Sequence, residues 1–172
     1  MDFEKEIKKV THNLNTELHS KKEKVYFLDG HREPFETYKI KLSYKNCDII
    51  MTNTTGVQAS GNITCHLSNN AKLIEFEIDS ISHFMNLFLR KNSRFKVKCK
   101  NKNFNFYLKN KALKELSELS KKTAFDPYIF SKKQGDKNLI ITEYHLAFEN
   151  SPYAIEPLLK FYKSVIDFLL SN

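Results

Sequence analysis

The arrangement of short alternating segments joined by very short turns constrains the fold more than any other feature of this chain. Between residues 37 and 45, apolar and basic side chains alternate, as in a strand with one buried and one exposed face. Further strand-like runs follow at 47–52, 62–67 and 72–78, and turn residues such as Asn46 separate them. These connections are too short for the helical crossover that parallel strands require. The sequence therefore predicts an antiparallel meander.

The remaining segments complete an α+β fold. The predicted sheet is mostly antiparallel, with strands near residues 25–28, 37–45, 47–52, 62–67, 72–78, 94–99, 128–131 and 138–148, the last two forming a hairpin around Gly135 and Asp136. Apolar residues that recur every three or four positions predict helices near 2–21, 80–91, 104–122 and 157–170. We expect one globular domain spanning 1–172, in which residues 1–22 form a peripheral amphipathic helix.

Composition and cysteine usage indicate a folded protein of a reducing compartment. Hydrophobic residues make up 41% of the 172 residues, which supplies a core without disulfides or metals. Cys47, Cys65 and Cys99 lie far apart, so we expect free thiols and a cytoplasmic location. Apolar runs are too short to span a bilayer, and the charged N-terminus lacks the apolar core of a signal peptide. The sequence thus predicts no membrane span.

Two helices carry apolar residues that suggest a protein interface. The first has a narrow stripe at spacings of four, three, four and four, formed by Phe3, Ile7, Val10, Leu14 and Leu18. The last helix is apolar on more than one face, and Phe161 and Phe168 are its interface candidates. The narrow stripe suits pairing with a partner helix, although packing on the chain's own domain would use the same residues. A protein partner or a homodimer is the leading expectation.

The positive charge is concentrated in one segment. The formal net charge is +8, and residues 90–122 hold twelve Lys or Arg and two Glu, so this segment alone contributes +10. A local basic excess favours an anionic partner, such as a nucleic acid or an acidic protein. The candidate anion-binding residues are Arg94, Lys96, Lys98, Lys100, Lys102, Lys109, Lys111 and Lys114.

Two features of the same segment favour an ordinary solvated surface. Of the 28 basic residues, 25 are Lys, whereas proteins that read phosphates and bases favour Arg, because its planar fork forms paired hydrogen bonds. On a strand, Phe95 and Val97 would point away from the neighbouring lysines, so the Phe95 ring would not stack on bases beside them. Nucleic-acid binding is therefore the alternative to protein binding.

Motifs for catalysis and metal binding are absent from the sequence. No two of the six histidines have the four-residue spacing of a zinc metalloprotease, and four scattered glycines build no phosphate loop. We expect no metal and no cofactor. Glu143 and His145 share one strand face, where an imidazole beside a carboxylate is a candidate general base. A small hydrolase-like enzyme around this pair is the third hypothesis, and a cross-strand polar pair without catalytic function is its alternative.

These observations order three functional hypotheses. The first is a non-catalytic binding or adaptor protein that acts through protein–protein contacts. The second is binding of a nucleic acid or an acidic partner through the basic segment 90–122. The third is the hydrolase-like site at Glu143 and His145.

Overall fold

An eight-stranded antiparallel sheet with helices packed on one face forms the protein. The computed structural model describes residues 3–14, 16–26, 32–56, 59–81, 94–148 and 151–171. The strands are β1 (Glu17–Tyr26), β2 (Arg32–Tyr44), β3 (Cys47–Thr55), β4 (Ser60–His66), β5 (Phe76–Ser80), β6 (Phe95–Cys99), β7 (Tyr128–Gln134) and β8 (Lys137–His145). The described helices are α1 (Phe3–Leu14), α2 (Lys102–Tyr107), α3 (Lys114–Lys122) and α4 (Ile155–Ser171), with a π-helical turn at Leu108–Ala112 and a 3₁₀ turn at Ser151–Ala154. The predicted α+β class is confirmed.

The strand order places two distant parts of the chain side by side. Across the sheet the order is β1-β2-β3-β4-β8-β7-β5-β6, and every neighbouring pair is antiparallel. The predicted meander is confirmed for β2, β3 and β4, but β5, which contains the end of the strand predicted at 72–78, pairs with β6 and β7 instead of β4. Strand β8 then pairs with β4, so that Ser60 lies opposite His145 and His66 lies opposite Leu139. We call this junction the β4–β8 seam.

Two hairpins use the turn chemistry that the sequence contains. Lys45 and Asn46 join β2 to β3 with φ angles of 49° and 60°, the left-handed conformation that a two-residue hairpin turn needs. Gly135 joins β7 to β8 with a φ of 59°. Both turns match the right-handed twist of the flanking strands, so the predicted hairpins are confirmed.

Helix α4 lies at the centre of the helical layer. Its Leu158, Phe161, Tyr162 and Val165 are all buried, and they belong to the same core cluster as the inward-facing residues of the sheet. The Tyr162 hydroxyl lies 2.7 Å from the Thr142 hydroxyl of β8, and burial holds the pKa of Tyr162 well above its usual value. The broad apolar set of α4 is therefore explained by burial within the chain.

A close contact between neighbouring strands fixes the core beside the seam. The Tyr144 side chain of β8 crosses over Gly61 of β4 and donates a 2.6 Å hydrogen bond to Asn53 Oδ1 on β3. All of Tyr144 except a few percent is buried, and burial raises the pKa of its hydroxyl. A Cβ atom at Gly61 would lie 2.7 Å from the Tyr144 hydroxyl oxygen and closer still to two ring carbons. Gly61 is therefore required for the ring to reach Asn53.

Arg94 joins the start of β6 to the end of α3. Only 1% of its surface is exposed, and its guanidinium donates hydrogen bonds to the carbonyls of Ile81, Ser120 and Thr123 and to the carboxylate of Asp126. A buried cation of this kind is stabilised because each of its three guanidinium nitrogens has at least one oxygen partner. The side chain thus holds three separate segments together.

The N-terminal helix is shorter than predicted. Helix α1 ends at Leu14 and residues 17–26 form β1, so the prediction of one helix over 2–21 is wrong beyond Leu14. The four-residue step from Leu14 to Leu18 fits a helix, but Leu18 lies in β1 and packs on the core. Ten consecutive residues of β1 pair with β2, and this tertiary pairing overrides local helical periodicity. Of the strand predicted near 25–28, residues 25 and 26 are the end of β1, and residues 27 and 28 lie outside the described part of the chain.

Two other predicted elements differ in extent, and a third is not described. The strand predicted at 72–78 begins only at Phe76, in β5. The helix predicted at 104–122 is divided by the π-helical turn into α2 and α3. The helix predicted at 80–91 lies outside the described residues, apart from the end of β5 and Ile81. Within the described part of the chain, no helix is long and apolar enough to cross a membrane.

The two edge strands are highly charged. Strand β1, with sequence ELHSKKEKVY, forms one edge, and the five-residue β6, with sequence FKVKC, forms the other. Lysines and short length are the features by which natural sheets avoid pairing edge to edge. A partner is therefore not expected to add a strand at either edge.

The three cysteines are free and differ in exposure. Cys47 and Cys65 are fully buried, and burial raises the pKa of the Cys65 thiol, whereas Cys99 is partly exposed. Because the thiolate is the reactive species, we expect a disulfide reagent to label only Cys99 in the folded protein and all three thiols in denaturant. Counting thiols with and without urea tests this, and Cys99→Ser should remove native labelling. Labelling of Cys65 under native conditions would contradict the burial described.

Candidate interface on the open face of the sheet

All the described helices pack on one face of the sheet. Helix α1 contributes Ile7 to the core and places Glu4 3.1 Å from Lys22 of β1, on the same side as α4. The alternate residues of every strand point to the opposite face. We call that opposite side the open face, because no described helix covers it and its side chains are half-buried or exposed, with Leu139 the exception.

An apolar row crosses the middle of the open face. Ile50, Thr64, Ile141 and Phe130 lie opposite one another in register on β3, β4, β8 and β7. Each is half-buried, so each still presents surface to solvent. On an antiparallel sheet with one wet side, the residues that face solvent are normally polar. This central row therefore departs from the pattern of a solvated strand face.

Two aromatic rings extend the apolar surface. The rings of Tyr128 and Phe130 on β7 lie 5.1 Å apart at 33°, and 38% of Tyr128 is exposed. Partial burial and the nearby Glu77 carboxylate raise the pKa of the Tyr128 hydroxyl. The Tyr128 hydroxyl is therefore protonated, and the two rings form an amphipathic aromatic surface. Aromatic residues are enriched at protein interfaces.

Charged residues border the apolar row on both sides. On the β2 side, Lys41 lies opposite Ile50, and Lys39 lies one step along the same strand face. On the β5 side, Glu77 lies opposite Phe130, and Asp79 follows on the same strand face. Glu77 accepts a 2.8 Å hydrogen bond from Lys98 of β6, which holds the pKa of Glu77 below its usual value. The border is thus basic on one side and acidic on the other.

The residues predicted as a protein interface do not form one surface. Ile7 and Phe161 are buried inside the chain, and the ring of Phe168 packs 4.9 Å from that of Phe104. Leu18 lies in a strand rather than on the first helix. The side chains of Phe3, Val10 and Leu14 lie outside the described part of the structure. The buried members of this set stabilise the fold and are unavailable to a partner.

The predicted anion-binding residues are distributed over different parts of the surface. Arg94 is buried, and its donors already contact protein oxygens, so its prediction as an external anion ligand is wrong. Lys96 and Lys98 project from the open face of β6, and Lys100 follows the strand. The other members lie on α2, the π-helical turn and α3, behind the sheet: Lys102, Lys109, Lys111 and Lys114. The basic segment therefore does not present one continuous basic face.

Glu143 and His145 line a shared hollow on the open face. The hollow has a volume of about 430 Å³, and Asn62, Asp126 and Tyr128 also border it. Among the described residues, neither the Glu143 nor the His145 side chain makes a hydrogen bond or ion pair, and no three His, Cys, Asp or Glu are grouped as metal ligands. The concave setting brings the two residues together but supplies no described group that would orient the imidazole.

Sequence reasoning missed the central row. Ile50, Ile141 and Phe130 occupy the outward positions of their strands, and the sequence predicts for them only membership of the strands near 47–52, 138–148 and 128–131. The signal was present: runs such as Leu139–Ile140–Ile141 are apolar at both alternating positions, which indicates a strand covered on both faces. The alignment of these residues across β3, β4, β8 and β7 depends on the strand order, which local sequence patterns do not determine.

Comparisons with known proteins identify no relative of this chain. No protein-family model, no curated protein and no solved structure matches it.

Proposed function

We propose that this chain is a non-catalytic binding protein of the cytoplasm, and that it binds another protein through the open face of its sheet. The central row carries the proposal: four half-buried residues, three of them large and apolar, aligned across four adjacent strands on a face that no described helix covers. An apolar centre with a charged border is the usual anatomy of a protein interface. The free thiols support the cytoplasmic location.

The physical reason is the removal of apolar surface from water. Burial of apolar surface contributes about 25 cal/mol per Å², and the side chains of Ile50, Ile141 and Phe130 are already held in place by their neighbours in the sheet. Docking a partner on a rigid sheet costs less side-chain entropy than docking on a mobile surface. The charged edge strands direct that partner to the face of the sheet rather than to its edges.

The two other hypotheses have less support. For nucleic-acid binding, the open-face lysines Lys96 and Lys98 lie next to Glu77 and Asp79, whose carboxylates oppose an approaching phosphate. For hydrolysis, Glu143 and His145 share a hollow, but a general base also needs a partner that fixes its tautomer and orientation.

Site-specific photo-crosslinking in the source cells tests the proposed function. A photoreactive phenylalanine analogue at Phe130 lies in the central row, and the same analogue at Phe106, which is 71% exposed on α2, is the matched control on the helical layer. We expect a protein adduct from position 130 and none from position 106. Because a charge in the central row removes apolar contact, Ile141→Glu should abolish the adduct.

The alternative outcomes are separable. Equal adducts from both positions would indicate non-specific collision, and no protein adduct from position 130 would contradict the proposal. Adducts that nuclease digestion removes would favour nucleic-acid binding instead. Circular dichroism of the Ile141→Glu variant checks that the loss of an adduct does not result from unfolding.

A further inference from the structure

On the open face, charges of opposite sign lie at matching distances on either side of its middle. Across the sheet, the central row and its borders read Glu17, Lys41, Ile50, Thr64, then Ile141, Phe130, Glu77, Lys98. The midpoint of this series is the β4–β8 seam. Counted outward from the seam, Thr64 corresponds to Ile141 and Ile50 to Phe130. Farther out, Lys41 corresponds to Glu77, and Glu17 corresponds to Lys98.

We propose that the partner on the open face is a second copy of this chain, bound face to face about a two-fold axis that runs parallel to the strands above the β4–β8 seam. The inference rests on the proposed function and names its partner. Such an axis places each residue opposite a residue of the second copy. That residue lies at the same distance from the seam, but on the seam's other side. Ile50 then contacts Phe130 of the second copy, and Lys41 faces its Glu77.

Two further pairs of opposite charge occupy matching positions in the neighbouring rows. One step along the strands in one direction, Lys39 corresponds to Asp79 and Thr52 to the exposed Tyr128, while the outermost pair of that row is His19 with Lys96. One step in the other direction, Asp48 on β3 corresponds to Lys132 on β7. In this pair the acid lies on the β3 side and the base on the β7 side, the reverse of the Lys41–Glu77 and Lys39–Asp79 pairs. The complementarity is therefore a property of individual positions and not merely of a basic half facing an acidic half.

The size of the open face suits a stable dimer. The five strands from β2 to β7 in the sheet order span about 24 Å, and the four outward residues along each of them span about 27 Å, while the short β5 adds only Glu77 and Asp79. The resulting area, about 700 Å² per chain, lies within the range of about 600–1,000 Å² that each partner contributes to an interface of standard size. Two twisted sheets pack in this way with their strands about 30° apart, as in β-sandwiches.

Paired charge reversals test both the partner and the axis. Lys39→Glu with Lys41→Glu forms the first variant, and Glu77→Lys with Asp79→Lys forms the second. Within either variant, the two-fold axis places like charges opposite each other, so we expect the dissociation constant of the dimer to rise about 100-fold. An equimolar mixture of the two variants places opposite charges at every one of these contacts, so the mixed dimer should form with nearly the affinity of the unchanged protein.

Sedimentation equilibrium of the full chain measures these populations. The unchanged protein is expected at twice its chain mass of 20.2 kDa, each variant at one chain mass, and the mixture again at twice. Both variants remain positively charged, at +4 and +12, because each reversal changes the net charge of +8 by two, so simple attraction between opposite net charges does not explain their mixing. Lys109→Glu with Lys111→Glu applies the same charge change behind the sheet and should leave the dimer intact.

Each result decides between distinct conclusions. If the unchanged protein is a monomer at concentrations far above those in the cell, the proposed partner is overturned. If the mixture of variants does not restore the dimer, the proposed axis is overturned. In that event an adduct from position 130 to a different protein would leave the proposed function standing. Loss of both the dimer and every adduct would remove the two proposals together.

Discussion

Replacing Gly61 with alanine is expected to lower the free energy of unfolding by about 3–5 kcal/mol. The added methyl group would overlap the Tyr144 ring, which crosses directly over this position, so the ring must move. Its displacement breaks the buried hydrogen bond to Asn53 and disturbs the contact with Phe125, whose ring lies 5.7 Å away. Since small domains are stable by only about 5–15 kcal/mol, urea unfolding should show a large shift in midpoint.

Two controls separate this steric effect from the general cost of replacing glycine. Gly135→Ala changes a glycine with positive φ and no heavy atom within 4 Å of the new Cβ, so its cost should be only about 1 kcal/mol. In a Tyr144→Ala background, Gly61→Ala should cost less than about 1 kcal/mol, because the ring that it would displace is gone. An unchanged cost in that background would show that the ring is not the cause.

Replacing Arg94 with methionine is expected to destabilise the protein by about 3 kcal/mol. Methionine retains the length and apolar stem of arginine but leaves the carbonyls of Ile81, Ser120 and Thr123 without their donor in a buried site. The Asp126 carboxylate loses its cation as well, although 38% of that side chain is exposed and water compensates in part. Urea unfolding monitored by circular dichroism measures the loss.

The neighbouring lysine provides the matched control. Lys96 lies two positions along β6 on the open face, and Lys96→Met should change stability by less than about 0.5 kcal/mol. Arg94→Lys should restore little of the lost stability. An ammonium group lacks the planar fork with which the guanidinium reaches three carbonyls and a carboxylate. Equal losses for Arg94→Met and Lys96→Met would contradict the role assigned to the buried guanidinium.

Local patterns in the sequence were sufficient for much of the fold. Alternation and short turns predicted the β2–β3–β4 meander, and Gly135 marked the β7–β8 hairpin correctly. The N-terminal helix was extended too far because the spacing from Leu14 to Leu18 satisfies both a helical and a strand period. Only the pairing of β1 with β2 decides between them, and that pairing is a long-range interaction.

The candidate site depended on information that no local pattern contains. Arg94 was assigned to a basic surface because it begins a run of alternating lysines, yet its position next to the end of α3 buries it. Ile50 and Ile141 were predicted only as members of two separate strands. Their alignment on one exposed face follows from the strand order, in which β8 inserts beside β4. Sequence spacing alone does not determine that order.

The β4–β8 seam also determines when the open face can form during synthesis. During synthesis, strands β1 to β4 leave the ribosome first. The edge of β4 stays unpaired until residues 139–145 emerge, and these lie about eighty positions farther along the chain. Pairings of such large sequence separation form slowly and leave an unpaired edge exposed in the meantime. In the proposed dimer, every charged contact takes one residue from each side of the seam. Nascent chains, and chains in which β8 has not yet paired with β4, would therefore be unable to form the proposed dimer.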